Sequence, residues 1–296
     1  MSFITYVING ISLGSVYAII ALGYSMVYGI AKMLNFAHGD VIMVGAYVVY
    51  TMTIGLGLHP ILAVLCSMVF CTVLGITIER VAYKPLRNAA SSLAVLITAI
   101  GVSYFLQNIA LLIYGSSPKA FTSVVPLEPI RIPINGEELT ISGEAVVTIA
   151  ACILIMTCLM LFINKTKAGQ AMLAVSEDKG AAALMGINVN GTIALTFAIG
   201  SALAAVAGVL LCSAYPSLSP YTGAMPGIKA FVAAVFGGIG SIPGALIGGI
   251  LLGLIEILSK AYISFQLSDA IVFAVLIIVL LVKPTGILGK QIQEKV

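Results

Sequence analysis

The chain has 296 residues, 60% hydrophobic and only 8% charged, with a formal net charge of +3, and its mean hydropathy is +1.15. Soluble domains carry about 25% charged residues, so this composition cannot cover a water-facing globule, and the small basic excess sits in loops rather than in a nucleic-acid-binding patch. No charged residue occurs in 1–31, 41–78, 180–228 or 230–255, and each gap can hold an apolar helix of about 20 residues. The runs lack the alternation of barrel strands, which leaves helices, whose backbones satisfy themselves in hydrocarbon.

In chain order, spans are predicted at 4–30, 41–56, 61–81 and 92–113. The first two are separated by a polar interruption, KMLNFAHGD, and His59-Pro60 makes the turn before the third, because the residue before proline disfavours helix. Residues 114–144 form the longest polar stretch. Alternating runs flank Asn135-Gly136 there, a dipeptide that favours a two-residue hairpin turn. Further spans are predicted at 145–163, 192–214, 243–261 and 270–282, with a second polar loop at 164–191. Residues 228–239 are apolar but short and broken by glycine. The expectation is an all-α, polytopic transmembrane bundle of eight or nine spans in one domain, with broken or re-entrant segments.

Lysine and arginine set orientation. Arg80, Lys84, Arg87, Lys165, Lys167, Lys179, Lys283, Lys290 and Lys295 share one side, whereas the 114–144 loop has only Lys119 and Arg131 among four glutamates. The first side is expected to be cytoplasmic, with the C-terminus, and the hairpin external. The N-terminus has no basic leader, so no cleaved signal is expected. Five cysteines lie within apolar runs at spacings that match no metal motif and are read as buried, inert thiols.

Catalysis finds little support. The histidines are His38 and His59 alone, no zinc-protease pattern pairs them, and there is no phosphate-binding loop. The loop at 164–191 carries the most information. Ser176 is suited to N-cap a short helix, with Glu177 and Asp178 in a first turn that favours acids and Gly186 ending it left-handed before Ile187. Its apolar face is Ala181, Ala182, Leu184 and Met185. Such a face docks in a partner's groove or rests on lipid headgroups; both readings are open.

Two irregular segments are candidates for a translocation pathway. Asn35, Phe36, His38, Gly39 and Asp40 interrupt apolar sequence, as irregular backbone does where it lines water or is buried in protein; the other reading is a short turn. Gly237, Gly238 and Gly240 are suited to break a helix at membrane depth, or to pack helices closely. Gly240, Gly244 and Gly248 form one row of small residues, and Gly249 and Gly253 another. Lys229, Glu256 and Lys260 are ionisable groups in or beside apolar segments, which marks them as functional candidates. Glu256 and Lys260 are four apart, so one helical face can pair them as a structural ion pair.

The chain resembles the smaller permease subunit of bacterial ATP-binding-cassette importers for branched-chain amino acids. The resemblance covers nearly its whole length. It is carried by NGISLGSVYA (9–18), GYSMVYG (23–29), NFAHGD (35–40), ERVAYKPLR (79–87), AIGVSYFLQN (99–108), AVFGGIGSIPGALIGG (234–249) and KPTGILG (283–289). It implies an inner-membrane assembly with a second homologous permease, two cytoplasmic ATPases and a periplasmic amino-acid-binding protein. ATP and magnesium would be bound by the ATPases, with no cofactor in this chain. Related permeases carry urea or short amides. The resemblance also implies that residues 177–187 couple the ATPases to the pore, although the Glu-Ala-Ala start of many such loops is Ser-Glu-Asp here. A stand-alone ion-coupled carrier using Glu256 or Asp40 is the competing reading of the residues.

Overall fold

The computed structural model describes residues 2–87, 92–124, 127–134 and 137–289. Asn135-Gly136, Lys290 and Lys295 lie outside the described residues. Eleven α-helices are found among those described: α1 (Ser2–Ala31), α2 (His38–Tyr50), α3 (Pro60–Ile78), α4 (Ser92–Tyr114), α5 (Gly143–Lys165), α6 (Lys167–Glu177), α7 (Lys179–Leu184), α8 (Val189–Ala214), α9 (Ala224–Gly237), α10 (Ile242–Tyr262) and α11 (Ser268–Val282). A π-helical turn, Thr51–Gly55, extends α2, and another, Glu79–Tyr83, extends α3.

Six helical stretches are long and apolar enough to cross a bilayer: Phe3–Ala31, Pro60–Leu86, Leu93–Tyr114, Gly143–Lys165, Val189–Ala214 and Ile242–Tyr262. The apolar helices α9 and α11 are shorter, with 14 and 15 residues. At 1.5 Å per residue each reaches about 21–23 Å, less than a bilayer's hydrocarbon of about 30 Å. The polytopic helical architecture is as the sequence predicts, and six of the described helical stretches have the length and apolar composition of a crossing.

The polar loop holds the hairpin. β2 (Ile130–Ile134) pairs antiparallel with β3 (Glu137–Ile141), with Ile134 opposite Glu137. A second strand pair was not visible in sequence: β1 (Lys119–Ala120) pairs with β4 (Ser217–Leu218) just beyond α8. The hairpin and the α6–α7 segment lie at opposite ends of the bundle. Lys179, at the start of α7, donates to the Ala31 carbonyl at the C-terminal end of α1 (2.8 Å), whereas α5 begins directly after β3.

α1 is the central helix, with its residues 13–22 almost wholly buried. It runs antiparallel to α10, because Gly10 and Gly14 face Leu254 and Ile250 while Gly29 faces Gly240. At the other end Tyr6 meets Tyr262 edge-on at 5.8 Å. The two glycine rows serve different neighbours. Gly249 and Gly253 press on Ala18 and Gly14 of α1, and Gly244 and Gly248 on Gly237 and Ala233 of α9. Small residues permit this backbone approach.

Outward faces are apolar: Ile61, Leu65 and Val69 on α3, Leu93, Ile97 and Phe105 on α4, and Ile153 and Leu154 on α5 are all more than half exposed. Patches of this extent call for lipid or a partner as cover. The cysteines need correction here. Cys71, Cys152 and Cys212 are buried, but Cys66 and Cys158 are exposed, because they sit on the outward sides of α3 and α5.

Candidate functional site

Four helices bring a cluster of charges together. Glu256 of α10 is 1% exposed and Lys229 of α9 is 6% exposed. One Glu256 oxygen, Oε1, accepts from both Lys229 (2.8 Å) and Lys260 (2.6 Å). The other, Oε2, accepts from the Tyr17 hydroxyl of α1 at 2.9 Å. Lys229 also pairs with Asp269 of α11 at 2.7 Å, and Lys260 lies 5.3 Å from the Phe265 ring. The ion pair expected from the four-residue spacing is present, and it is one edge of a network. Buried charges are tolerated only when paired and hydrogen-bonded, and here two ammonium groups balance two carboxylates.

This network forms one wall of a cavity of about 220 Å³. Tyr17, Tyr215, Lys229, Glu256 and Lys260 supply its polar side, and Leu13, Leu211, Met225 and Pro226 its apolar side. Ser217 and Thr222 also line it, which puts its mouth at the hairpin end of the bundle. Burial pushes the Tyr215 phenol above its ordinary pKa, and the Glu256 carboxylate adds to the rise.

Below it, the Asn35–Asp40 segment is buried inside protein. α1 stops where Lys32 takes a left-handed conformation, φ 58°. Asn35 Oδ1 accepts from the Tyr83 hydroxyl at 2.9 Å. Gly39 packs against Gly223 and Gly227, and the His38 ring sits against Gly23. That ring meets Tyr24 edge-on at 4.7 Å, and its Nε2 lacks a hydrogen-bond partner. Phe231 joins Tyr24 at 5.8 Å and Phe36 at 5.7 Å, completing an aromatic cluster. Asp40 accepts from Gln107 Nε2 of α4 at 2.8 Å. Of the glycine candidates, Gly238 (φ 106°) ends α9 and packs on the backbone at Gly289, Gly237 faces Gly244, and Gly240 faces Gly29. All three lie against neighbouring backbone.

The α7 segment differs from expectation at its start. Ser176 donates to the Leu173 carbonyl within α6. The N-cap is Asp178, whose Oδ1 accepts from the Gly180 and Ala181 amides at 2.7 and 2.9 Å. Ser176 is still inside the preceding helix, so its backbone cannot take the extended N-cap conformation that Asp178 adopts. Glu177 therefore ends α6 instead of opening α7. The C-terminal end is as predicted: Gly186 has φ 83°, its amide donates to the Ala183 carbonyl, and the Ile187 amide to that of Ala182, both at 3.0 Å. This pair of bonds is a Schellman cap. Ala182 is buried inward, whereas Leu184 and Met185 are 90% and 83% exposed. Burial and the nearby charges of Arg87 and Lys32 hold the Lys179 ammonium below its ordinary pKa.

Tyr17, Asp269 and Gln107 were missed by sequence reading. Tyr17 and Gln107 occupy helical positions like any packing residue, and only the first-turn position of Asp269 gave a signal.

A bundle of apolar helices around a buried ion network, with a cavity at one end and an exposed capped helix at the other, defines a multi-pass membrane protein. Residues 6–280 match the family described as branched-chain amino acid transport system / permease component, and the chain belongs to that family. It is 47% identical over 311 residues to the high-affinity branched-chain amino acid transport system permease protein LivH of Salmonella typhimurium, covering 99% of this chain and 98% of that one. It is 44% identical over 302 residues to the corresponding BraD of Pseudomonas aeruginosa, with the same coverage. A probable branched-chain amino acid transport permease protein LivH of Methanocaldococcus jannaschii is 30% identical over 281 residues, 92% of this chain and 88% of that one.

Proposed function

We propose that the chain is the membrane permease subunit of an importer that carries branched-chain amino acids into the cytoplasm, energised by separate ATPase subunits. The observation that carries this reading is identity of 44–47% along nearly the whole length of relatives named for that transport. The α7 helix supports the division of labour: Leu184 and Met185 are exposed on a helix rigidly capped at both ends, a shape suited to a partner's groove. ATP and magnesium belong to the ATPases. A second, homologous permease would cover apolar outward faces, and a periplasmic binding protein would deliver substrate at the hairpin end. The ion-coupled alternative is less favoured by the geometry, because Glu256 is already engaged by two ammonium groups and a phenol and Asp40 by the Gln107 amide.

The protein would lie in the bacterial inner membrane with α7 and the C-terminus in the cytoplasm. Nine passes fit the helix directions. α8 ends at the hairpin end and α10 begins at the other, so residues 215–237 cross between them, partly as irregular chain and partly as α9. The N-terminus is then external. Co-purification tests the assembly: two ATPases and a second permease should be recovered with this chain, whereas a lone homo-oligomer would contradict it.

A further inference from the structure

We infer that the cavity between α1, α8, α9 and α10 is an outward-facing station for the zwitterionic head and aliphatic side chain of a free amino acid. The inference rests on the permease reading and deepens it. Nothing in family membership assigns these residues a ligand; the chemistry of the walls does.

Three features converge. First, the polar wall presents both charge signs within one carboxylate's reach, since Lys229 and Lys260 meet on the same oxygen of Glu256 at 2.8 and 2.6 Å. A ligand with a carboxylate and an ammonium on one carbon complements such a wall; an inorganic ion or an uncharged amide satisfies only half of it. Second, Leu13, Leu211, Met225 and Pro226 supply an apolar part of the lining, which takes an aliphatic side chain. Third, the cavity of about 220 Å³ is smaller than drug-sized sites, which begin near 300 Å³, and so fits one small molecule.

The members of the network differ in freedom. The Lys260 side chain is 24% exposed, whereas those of Lys229 and Glu256 are 7% and 2% exposed. Lys260 is the group able to move. On binding, its ammonium turns to the ligand's carboxylate, and the ligand's ammonium takes the vacated place beside Glu256 Oε1. One ion pair is exchanged for two and net charge is unchanged, so no charge is left buried without a partner. Lys229, held between Glu256 and Asp269, stays in place and keeps its ion pair with Glu256.

The test uses the whole permease–ATPase complex in nanodiscs, without the delivery protein, so that only the membrane site can discriminate. Met225 is exposed on the cavity wall (43%), and Met225→Cys supplies a thiol there once the exposed Cys66 and Cys158 are replaced by alanine. A charged thiol reagent should label Cys at position 225, and leucine should slow labelling, whereas leucinamide and 4-methylvalerate should not. In Lys260→Gln, with protection expressed relative to that variant's own labelling rate without leucine, the half-protecting leucine concentration should rise about tenfold, as expected for one lost charge-assisted hydrogen bond. Lys260→Arg should restore most of the protection. A purely structural ion network would leave all these protection values equal. Equal protection by leucinamide and leucine, or no protection in a complex that still imports leucine with its delivery protein, overturns the station alone. A complex that imports no branched-chain amino acid overturns both this inference and the permease reading.

Discussion

At the residue scale, Glu256 accepts from two ammonium groups and a phenol on one carboxylate. Removing one partner of such a buried set leaves charge without compensation, at about 3–5 kcal/mol. Glu256→Gln is therefore expected to lower the thermal midpoint of the detergent-solubilised protein sharply. Conservative exchange of the exposed Glu177 should not; equal midpoints for the two variants would contradict the network. The i,i+4 edge to Lys260 was legible in the sequence because helical spacing alone predicts it. The edges to Lys229 and Tyr17 span 27 and 239 residues, and no local rule says which helices become neighbours. The glycine rows show the same limit. Their spacing announced close packing, but not that Gly249 and Gly253 face α1 while Gly244 and Gly248 face α9. A side chain at Gly253 would collide with the backbone at Gly14. Gly253→Val should cost about 1–3 kcal/mol by overpacking, read as loss of folded yield by size-exclusion profile, and an unchanged profile would place the α1–α10 contact elsewhere.

At the scale of single elements, α7 links two requirements: an exposed face and a rigid attachment. Its Schellman cap requires Gly186 at φ 83°, a conformation that costs a residue with a Cβ roughly 1–2 kcal/mol. Gly186→Val is expected to leave the protein in the membrane and ATP hydrolysis running while uptake falls. Uptake at the wild-type rate would remove α7 from the coupling path. Lys179 holds α7 to the end of α1 through the Ala31 carbonyl, and α1 also carries Tyr17 and Tyr24. This bond is the link through which movement of α7 would reach the helix that lines the cavity and carries Tyr24. Lys179→Met should reduce uptake per ATP hydrolysed at unchanged complex yield, measured in parallel on reconstituted vesicles; an unaltered ratio would mean that this bond transmits nothing. Sequence located the helix and its glycine, since left-handed C-caps have a residue signature. It misplaced the N-cap because Ser176 and Asp178 are both good caps, and the choice depended on how far α6 extends from Lys167.

For the whole molecule, hydropathy made the helical membrane fold legible, because a backbone in hydrocarbon has few alternatives. It left the count at eight or nine, because the segment 228–239 is apolar but short and broken by glycine, and the helix it forms, α9, has only 14 residues. The Asn35–Asp40 break was visible as a polar interruption. Its burial under Tyr83, Tyr24 and Phe231 depends on helices far apart in sequence. We propose that this bundle moves an amino acid only when partner ATPases act on α7. The most direct measurement is leucine uptake into vesicles holding the purified chain alone or the chain with its second permease, ATPases and binding protein. The expected result is ATP-dependent uptake by the full assembly and none by the lone chain under a proton or sodium gradient. Gradient-driven uptake by the lone chain, with no stimulation by ATP in the full assembly, would contradict it.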